Sequence, residues 1–194
     1  MDQGVGVVHE LLDEATFKEV ADHTVNVTRN IINGYDAEFQ RTFLHNYPPF
    51  IDLHYALSDF ASDMFGVKLK PSYLFVSNYH EGGACPLHLD RPQCFRTIDL
   101  CVSDENDEPW PLKIADPWTD DQVKGYEGEL HLGVIEPDTE PDLDVVWNTV
   151  LLRPNDAACY SGTHQWHYRP IPSAKRADLI FFHFVPEDFN GSLN

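Results

Sequence analysis

Basic side chains are scarce in this sequence. Its 194 residues include 13 Lys and Arg against 32 Asp and Glu, which gives a formal net charge of −19. Nucleic-acid phosphates and anionic membrane surfaces are bound by clustered Lys and Arg. The shortage argues against nucleic acid or a membrane surface as a partner, and we expect the acidic excess mainly to keep the surface soluble.

Long apolar runs and paired cysteines are also missing. No window approaches the roughly 18 apolar residues of a membrane span, and the first residues contain no basic region followed by an apolar run. The four cysteines form no Cys-x-x-Cys pair, which excludes a zinc finger and favours reduced thiols. We therefore predict a cytoplasmic protein with no membrane segment.

Two segments near the N-terminus carry apolar residues at helical spacing. The first follows Asp13, a suitable N-cap, and ends before Asn33 and Gly34. The second covers residues 49–65 and ends before Gly66. The sequence therefore predicts two helices in its first third.

After position 71 the sequence changes to short β-branched or aromatic runs separated by Pro, Gly, Asn and Asp. The predicted strands are 73–76, 97–102, 112–114, 145–152, 157–160 and 179–185. Helices followed by many short strands indicate a mainly β protein with N-terminal helices packed on one side of a sandwich or jelly roll. We predict one domain over 1–194, with helical support over 1–70 and a jelly-roll core over 71–186.

Residues 115–144 are the least strand-like part of the chain. Pro and Gly interrupt a strongly acidic sequence there, which predicts a long loop or an exposed hairpin. Long loops inside a compact domain often serve as lids or binding loops. We expect this segment to close over a bound substrate.

A candidate metal site begins with His88 and Asp90. Residues two apart in a strand point to the same face, so this imidazole and this carboxylate converge. Two imidazoles and one carboxylate on one face of an iron ion are the arrangement of non-heme Fe(II) oxygenases. The third ligand must come from a distant strand, and the downstream candidates are His164, His167 and His183.

These residues together resemble a known family. The HLD triplet at 88–90, the later His167 and Arg176 nine positions after it resemble the HxD…H…R signature of the Fe(II)/2-oxoglutarate dioxygenases, within the prolyl-4-hydroxylase-like group. The resemblance extends over about 71–186. It implies a double-stranded β-helix, a cupin-like jelly-roll barrel whose mouth holds the iron.

The resemblance also bears on the third ligand. In such relatives the distal histidine precedes an aromatic residue and an arginine, which His167, Tyr168 and Arg169 match and His164 does not. Three residues apart on an extended strand, His164 and His167 point to opposite faces and cannot both bind the ion. His183, in an apolar run, is interpreted as a core or sheet-face histidine.

Further roles are implied by the same resemblance. Iron would be held by His88, Asp90 and His167, and 2-oxoglutarate would present its far carboxylate to Arg176, whose guanidinium fork suits that group. The remaining expectations are Tyr79 and Thr97 as co-substrate residues, and Arg96, Arg91, Arg169 and Trp110 as substrate or pocket residues.

The implied activity is hydroxylation of a small molecule with O2, with 2-oxoglutarate converted to succinate and CO2. A carboxylate at Asp90 favours hydroxylation over halogenation, and desaturation or cyclisation stays open. An amino acid or a natural-product intermediate is the default substrate. Two alternatives remain: a cupin-like metalloenzyme that does not use 2-oxoglutarate, which would not need Arg176, and a noncatalytic binding module on the same barrel.

Overall fold

The computed structural model describes residues 4–30, 34–136, 139–170 and 175–193. Within these ranges the chain forms four α-helices and eleven strands. None of these helices is long and apolar enough to cross a membrane. The helices are α1 Glu14–Asn30, α2 Ile51–Ala56, α3 Ser58–Phe65 and α4 Asp120–Gly125.

The two predicted N-terminal helices are confirmed. Asp13 caps α1, because its Oδ1 accepts the main-chain amides of Ala15 and Thr16, both at 3.1 Å. The second predicted helix is divided at Leu57 into α2 and α3, after a 3-10 turn at Pro48–Phe50. Gly66 ends α3 in the left-handed region at φ 68°, a conformation that glycine adopts without strain.

The strands are β1 Gly6–Val8, β2 Gly34–Asp36, β3 Arg41–His45, β4 Leu69–Tyr79, β5 Cys85–His88, β6 Arg96–Asp104, β7 Leu112–Ala115, β8 Trp147–Val150, β9 Ala157–Tyr160, β10 His167–Arg169 and β11 Ala177–Pro186. All six predicted strands are present. The region 1–70 is not purely helical, because β1, β2 and β3 lie within it and extend the larger sheet.

Two antiparallel sheets form the predicted jelly roll, a double-stranded β-helix. The larger sheet has the order β1-β9-β6-β11-β4-β3-β2, and the smaller one has the order β5-β10-β7-β8. Strands distant in sequence are neighbours in both sheets, as in β11 beside β4 and β10 beside β5. This topology brings β5 and β10, the two strands of the HLD triplet and the distal histidine, side by side.

The larger sheet has one face toward the helices and one toward the barrel interior. On β6, Ile98 and Leu100 join a hydrophobic cluster that also contains Val20 of α1. The alternate residues Thr97 and Asp99 point the other way, into the barrel, although both are fully buried. The interior face therefore carries polar groups, while the helix-facing side provides the main apolar core.

The predicted loop over 115–144 is a packed cover for the smaller sheet. We use "cover segment" for residues 116–136 and 139–146. It includes α4, and Trp118 and Tyr126 pack edge-on against Trp166 at ring-centroid distances of 5.6 and 5.5 Å. Most of the segment thus packs on the outer face of the smaller sheet, while His131 lines the cavity, and closure over a substrate stays a prediction.

Candidate metal centre and cavity

His88, Asp90 and His167 converge at one end of the barrel. His88 and His167 are direct partners in the pairing of β5 with β10. The Asp90 carboxylate reaches both rings, with Oδ1 at 3.3 Å from His88 Nε2 and Oδ2 at 3.8 Å from His167 Nε2. One ligand atom from each side chain lies within 4.8 Å of the others. This spacing lets the three atoms bind one metal ion.

Both histidines are oriented by hydrogen bonds to main-chain carbonyls. Nδ1 of His88 lies 2.7 Å from the oxygen of Pro86, and Nδ1 of His167 lies 2.9 Å from the oxygen of Gln165. A carbonyl only accepts, so Nδ1 donates in both contacts, and Nε2 is the ring nitrogen on the side of Asp90. Metal-binding histidines are commonly fixed in this way by the ring nitrogen that does not bind the ion.

The electrostatics of the three groups suit a cation. Burial favours the neutral Asp90 carboxyl, but the His167 and His88 imidazoles outweigh it and hold its pKa well below the usual range. Burial, reinforced by His88, lowers the pKa of His167 to about 4. The arrangement at pH 7 is an ionised carboxylate beside a neutral distal imidazole, the protonation states that metal binding requires.

A cavity of about 360 Å³ opens beside this cluster. The volume is in the range of small-molecule sites. Its charged lining side chains are Arg41, Asp90, Arg91, Asp99 and Arg169. The three arginines place strong hydrogen-bond donors for an anionic ligand next to the candidate metal ligands.

Arg169 forms a buried ion pair with Asp99. Its Nη2 donates to Asp99 Oδ2 at 2.8 Å, and its Nη1 donates to the carbonyl of Trp110 at 2.8 Å. Burial raises the pKa of Asp99 against the opposing effect of Arg169. Asp99 Oδ1 has no hydrogen-bond partner among the described residues.

Arg41 has an uncommitted donor. It lies opposite Tyr79 in the pairing of β3 with β4, and its Nη1 donates to the Tyr79 hydroxyl at 3.2 Å. Its Nη2 contacts Asp36 at 3.4 Å. Its buried Nε has no hydrogen-bond partner among the described residues. A buried donor without a partner is costly and commonly marks the position of a ligand or a water.

The structure brings six of the ten predicted site residues to the cluster and cavity: His88, Asp90, His167, Tyr79, Arg91 and Arg169. The other four are Thr97, Arg96, Trp110 and Arg176, and none of them lines the cavity. Thr97 hydrogen-bonds His183 at 3.0 Å, and Arg96 donates to Ser161. Trp110 packs edge-on against Tyr79, which lines the cavity, but Trp110 itself does not line it.

Arg176, expected at the co-substrate carboxylate, lies on the other face of the larger sheet. Its guanidinium is bound by both oxygens of Asp178, at 2.8 Å each. On β11 the face of Asp178 continues through Ile180 into the helix-side core, whereas Phe181 lines the cavity. The alternation of side chains along the strand therefore directs Arg176 away from the cavity.

His164 lies outside the cavity. Its Nε2 contacts Asp120 Oδ1 of α4 at 2.9 Å, and its Nδ1 contacts Thr163 Oγ1 at 2.7 Å. The two side chains diverge as expected, although His164 stands in a turn before β10 and not in an extended strand. His167 is the one that faces Asp90.

A second group of potential ligands, Asp90, Cys94 and His183, shares the same carboxylate. The Cys94 thiol is within 2.9 Å of the Tyr73 hydroxyl, and burial raises its pKa far above the usual range. Two imidazoles and a carboxylate are the ligand set of non-heme Fe(II) sites, whereas a thiolate ligand selects softer metals. The His88, Asp90 and His167 set is therefore the better metal site.

Several cavity residues were not identified from the sequence. Arg41 lies in the region expected to be helical, Asp99 is inside a predicted strand, and His183 was interpreted as a core residue. His131 of the cover segment stacks on His88 with a ring-centroid distance of 5.2 Å. The sequence signal for Asp99 was available, because a charged residue at an inward position of a buried strand indicates a function or a buried partner.

The fold has many solved relatives. A prolyl-4-hydroxylase from Pseudomonas putida superposes with a TM-score of 0.65 at 12% identity, covering 95% of this chain and 94% of that one. HygX from Streptomyces hygroscopicus, solved with nickel, 2-oxoglutarate and hygromycin B, gives 0.67 at 11% identity, covering 96% and 84%. The non-heme alpha-ketoglutarate-dependent epimerase SnoN from nogalamycin biosynthesis gives 0.66 at 13%, covering 95% and 79%.

The structural neighbours are thus iron- and 2-oxoglutarate-dependent oxygenases, including a prolyl-4-hydroxylase. No protein-family model matches the sequence, and no curated protein matches it. At these identities the similarity establishes the double-stranded β-helix fold.

Proposed function

We propose that this protein is an Fe(II)- and 2-oxoglutarate-dependent oxygenase that hydroxylates a small molecule, consuming O2 and forming succinate and CO2. The observation that carries the proposal is the convergence of His88, Asp90 and His167 beside a cavity rich in arginine. Two imidazoles and a carboxylate with open positions opposite them are the ligand set of non-heme Fe(II) oxygenases.

The three candidate ligands fit the metal in their donor chemistry. Nitrogen and carboxylate donors suit Fe(II), and the two carbonyls that accept from Nδ1 leave each Nε2 directed to the ion. Bound iron with 2-oxoglutarate would supply the oxidising chemistry. The chain itself would orient both groups and hold the substrate in a cavity shielded from bulk water.

We assign the far carboxylate of 2-oxoglutarate to Arg41 and Tyr79. Arg41 Nε is an unpaired donor, and the hydroxyl of Tyr79, which also lines the cavity, lies 3.2 Å from Arg41 Nη1. A carboxylate could accept from both. Arg169 is less suited because Asp99 already occupies its guanidinium. Arg176 faces the other side of the sheet.

The reaction outcome depends on where the substrate sits relative to the metal. Asp90 occupies a coordination position, which favours hydroxylation over halogenation. SnoN, which has the same fold, is named an epimerase. Identification of the product by mass spectrometry, with one added oxygen atom expected, distinguishes hydroxylation from epimerisation.

An anaerobic optical titration tests the proposal. Metal-free protein is titrated with Fe(II) and then with 2-oxoglutarate, and we expect the weak visible charge-transfer band of the chelated co-substrate. Iron binding without the band would favour a metalloenzyme that does not use 2-oxoglutarate. Absence of metal binding would overturn the proposal and leave a noncatalytic module.

A further inference from the structure

One wall of the cavity is aromatic. His45, Phe75 and Phe181 are paired neighbours on β3, β4 and β11. The ring of Phe75 lies 4.7 Å from His45 and 6.2 Å from Phe181, and Tyr73 lies 4.6 Å from His183. We call these five side chains the aromatic wall. All five line the cavity, whereas the candidate metal ligands belong to or follow the strands of the smaller sheet.

Arg91 borders this wall at the exposed mouth of the cavity. Its guanidinium lies 4.4 Å from the centre of the Tyr73 ring, and its Nε donates to the Tyr73 hydroxyl at 3.3 Å. Arg41 and Arg169 each contact an aspartate. Among the described residues no acidic side chain lies within ion-pair distance of Arg91. It is held in place by an aromatic ring, with its charge uncompensated.

The charge balance of the cavity leaves one positive charge for a further ligand. The lining contains three arginines and two aspartates, an excess of one positive charge. A divalent metal and the 2-oxoglutarate dianion cancel each other. In a protein of net charge −19, a cationic cavity attracts anions against the overall field.

We infer that the substrate is a small organic acid with a flat apolar body, its acid group bound by Arg91 and its body packed on the aromatic wall. This inference rests on the proposed function, because it assigns the metal and 2-oxoglutarate to the rest of the cavity. Guanidinium groups bind carboxylates through two parallel hydrogen bonds, and aromatic rings pack on flat ligands. The acid group would fix which carbon of the body faces the metal.

Isothermal titration with a matched pair of probes tests this inference. Phenylacetate and its neutral analogue phenylacetamide are titrated into protein loaded with Zn(II), as an inert substitute for iron, and 2-oxoglutarate. We expect phenylacetate to bind at least tenfold more tightly, the difference that a charged hydrogen bond confers. Arg91→Gln should abolish this preference, and Arg91→Lys should keep part of it.

Two further variants serve as controls for the two halves of the site. Arg153→Gln removes an exposed arginine that does not line the cavity and should change nothing. Phe75→Leu should weaken phenylacetate and phenylacetamide by similar factors, because it removes a ring from the wall and leaves Arg91. Equal affinities for the acid and the amide in the wild type, or no binding of either, would overturn the inference.

The failures of this inference and of the proposed function are distinguishable. Loss of 2-oxoglutarate binding in Arg91→Gln would make Arg91 the co-substrate anchor and overturn the inference, with the oxygenase proposal intact. If the wild type binds no 2-oxoglutarate at all, the oxygenase proposal fails. The acid and amide titrations without 2-oxoglutarate then still decide whether Arg91 selects an anion.

Discussion

Gly162 lies directly against the carboxylate of Asp90. A Cβ at position 162 would overlap Asp90 Oδ2 and come within 2.7 Å of the Cys94 carbonyl, while the Gly162 carbonyl accepts the Asp90 amide at 2.9 Å. We expect Gly162→Ala to displace the carboxylate and weaken Fe(II) binding at least tenfold, as with loss of other groups that orient metal ligands. Metal titration checks this. Gly125→Ala, where a Cβ meets no atom within 4 Å, is the matched control.

Substitutions of His164 and of His167 should have different effects on metal binding. His167→Ala removes a ligand next to Asp90 and should abolish stoichiometric iron binding. His164→Ala removes contacts with Asp120, Thr163 and Ser161, all outside the metal cluster, and should keep it. Metal content after gel filtration, together with the visible band in 2-oxoglutarate, measures both. Retention of iron in His167→Ala would rule out the proposed ligand set.

The assignment of the co-substrate carboxylate predicts three affinities for 2-oxoglutarate. Arg41→Gln should raise the dissociation constant about 10- to 100-fold and Tyr79→Phe about 3- to 10-fold, the range for a charged and a neutral hydrogen bond. Arg176→Gln should leave it unchanged, because that side chain binds Asp178 on the other face. Calorimetric titration of the Zn(II)-loaded variants provides the values. An effect confined to Arg176→Gln would contradict the assignment.

Arg169 should contribute mainly to stability. Arg169→Met leaves Asp99 buried without its counter-charge, which typically lowers the free energy of unfolding by about 3–5 kcal/mol. The double variant Arg169→Met with Asp99→Asn should regain much of the loss, since no charge is then left unpaired. Urea unfolding of the metal-free proteins measures both. Equal stability of the single and double variants would contradict a structural ion pair.

Acid should destabilise the fold partly through His54. This imidazole is 2% exposed, its Nε2 lies 2.9 Å from the His183 carbonyl, and burial lowers its pKa to about 4. An unfolded histidine has a pKa of about 6.5, so the unfolded state binds the extra proton and stability falls as the pH falls from about 6.5 to about 4. At pH 5, the protonation of His54 in the unfolded state lowers the free energy of unfolding by about 2 kcal/mol.

The matched variant for this pH effect is His54→Gln, which keeps a donor for the carbonyl and cannot titrate. Urea unfolding of the metal-free protein at pH 7 and pH 5 should show a smaller loss in the variant than in the wild type. The other buried histidines are present in both proteins, so the difference reports His54 together with its effect on the pKa of His183. An identical pH dependence would show that His54 is not protonated differently on unfolding.

The metal cluster was predictable where it depended on local periodicity. His88 ends β5 and Asp90 follows two residues later, and their side chains meet as alternation along an extended chain predicts. His164 stands in a turn before β10, so the turn and not strand alternation separates it from His167. Arg176 was assigned from the family resemblance and not from periodicity, and it stands just before β11, where the sequence does not mark which face the strand presents. Its pairing with Asp178, two residues away, determines that face.

Arg41 and His131 could not be predicted as cavity residues from the sequence, because their positions depend on contacts between segments distant in the chain. Arg41 lies opposite Tyr79 only because β3 joins the larger sheet, and β3 falls in a region with a predominantly helical pattern. His131 reaches His88 through a single bridge between the cover segment and β5. Neither contact leaves a periodic signal in the sequence, so neither could be derived from spacing.

The cover segment also has a consequence for self-association. β5 is an edge strand of the smaller sheet. Its outer edge is covered by residues 130–133, because the main chain of Leu87 forms hydrogen bonds with Leu132 and Gly133. An unpaired outer strand is a template for strands of other molecules. Proteolytic loss of this segment would therefore expose His88 together with an edge prone to aggregation, so damage to the metal site and precipitation should occur together.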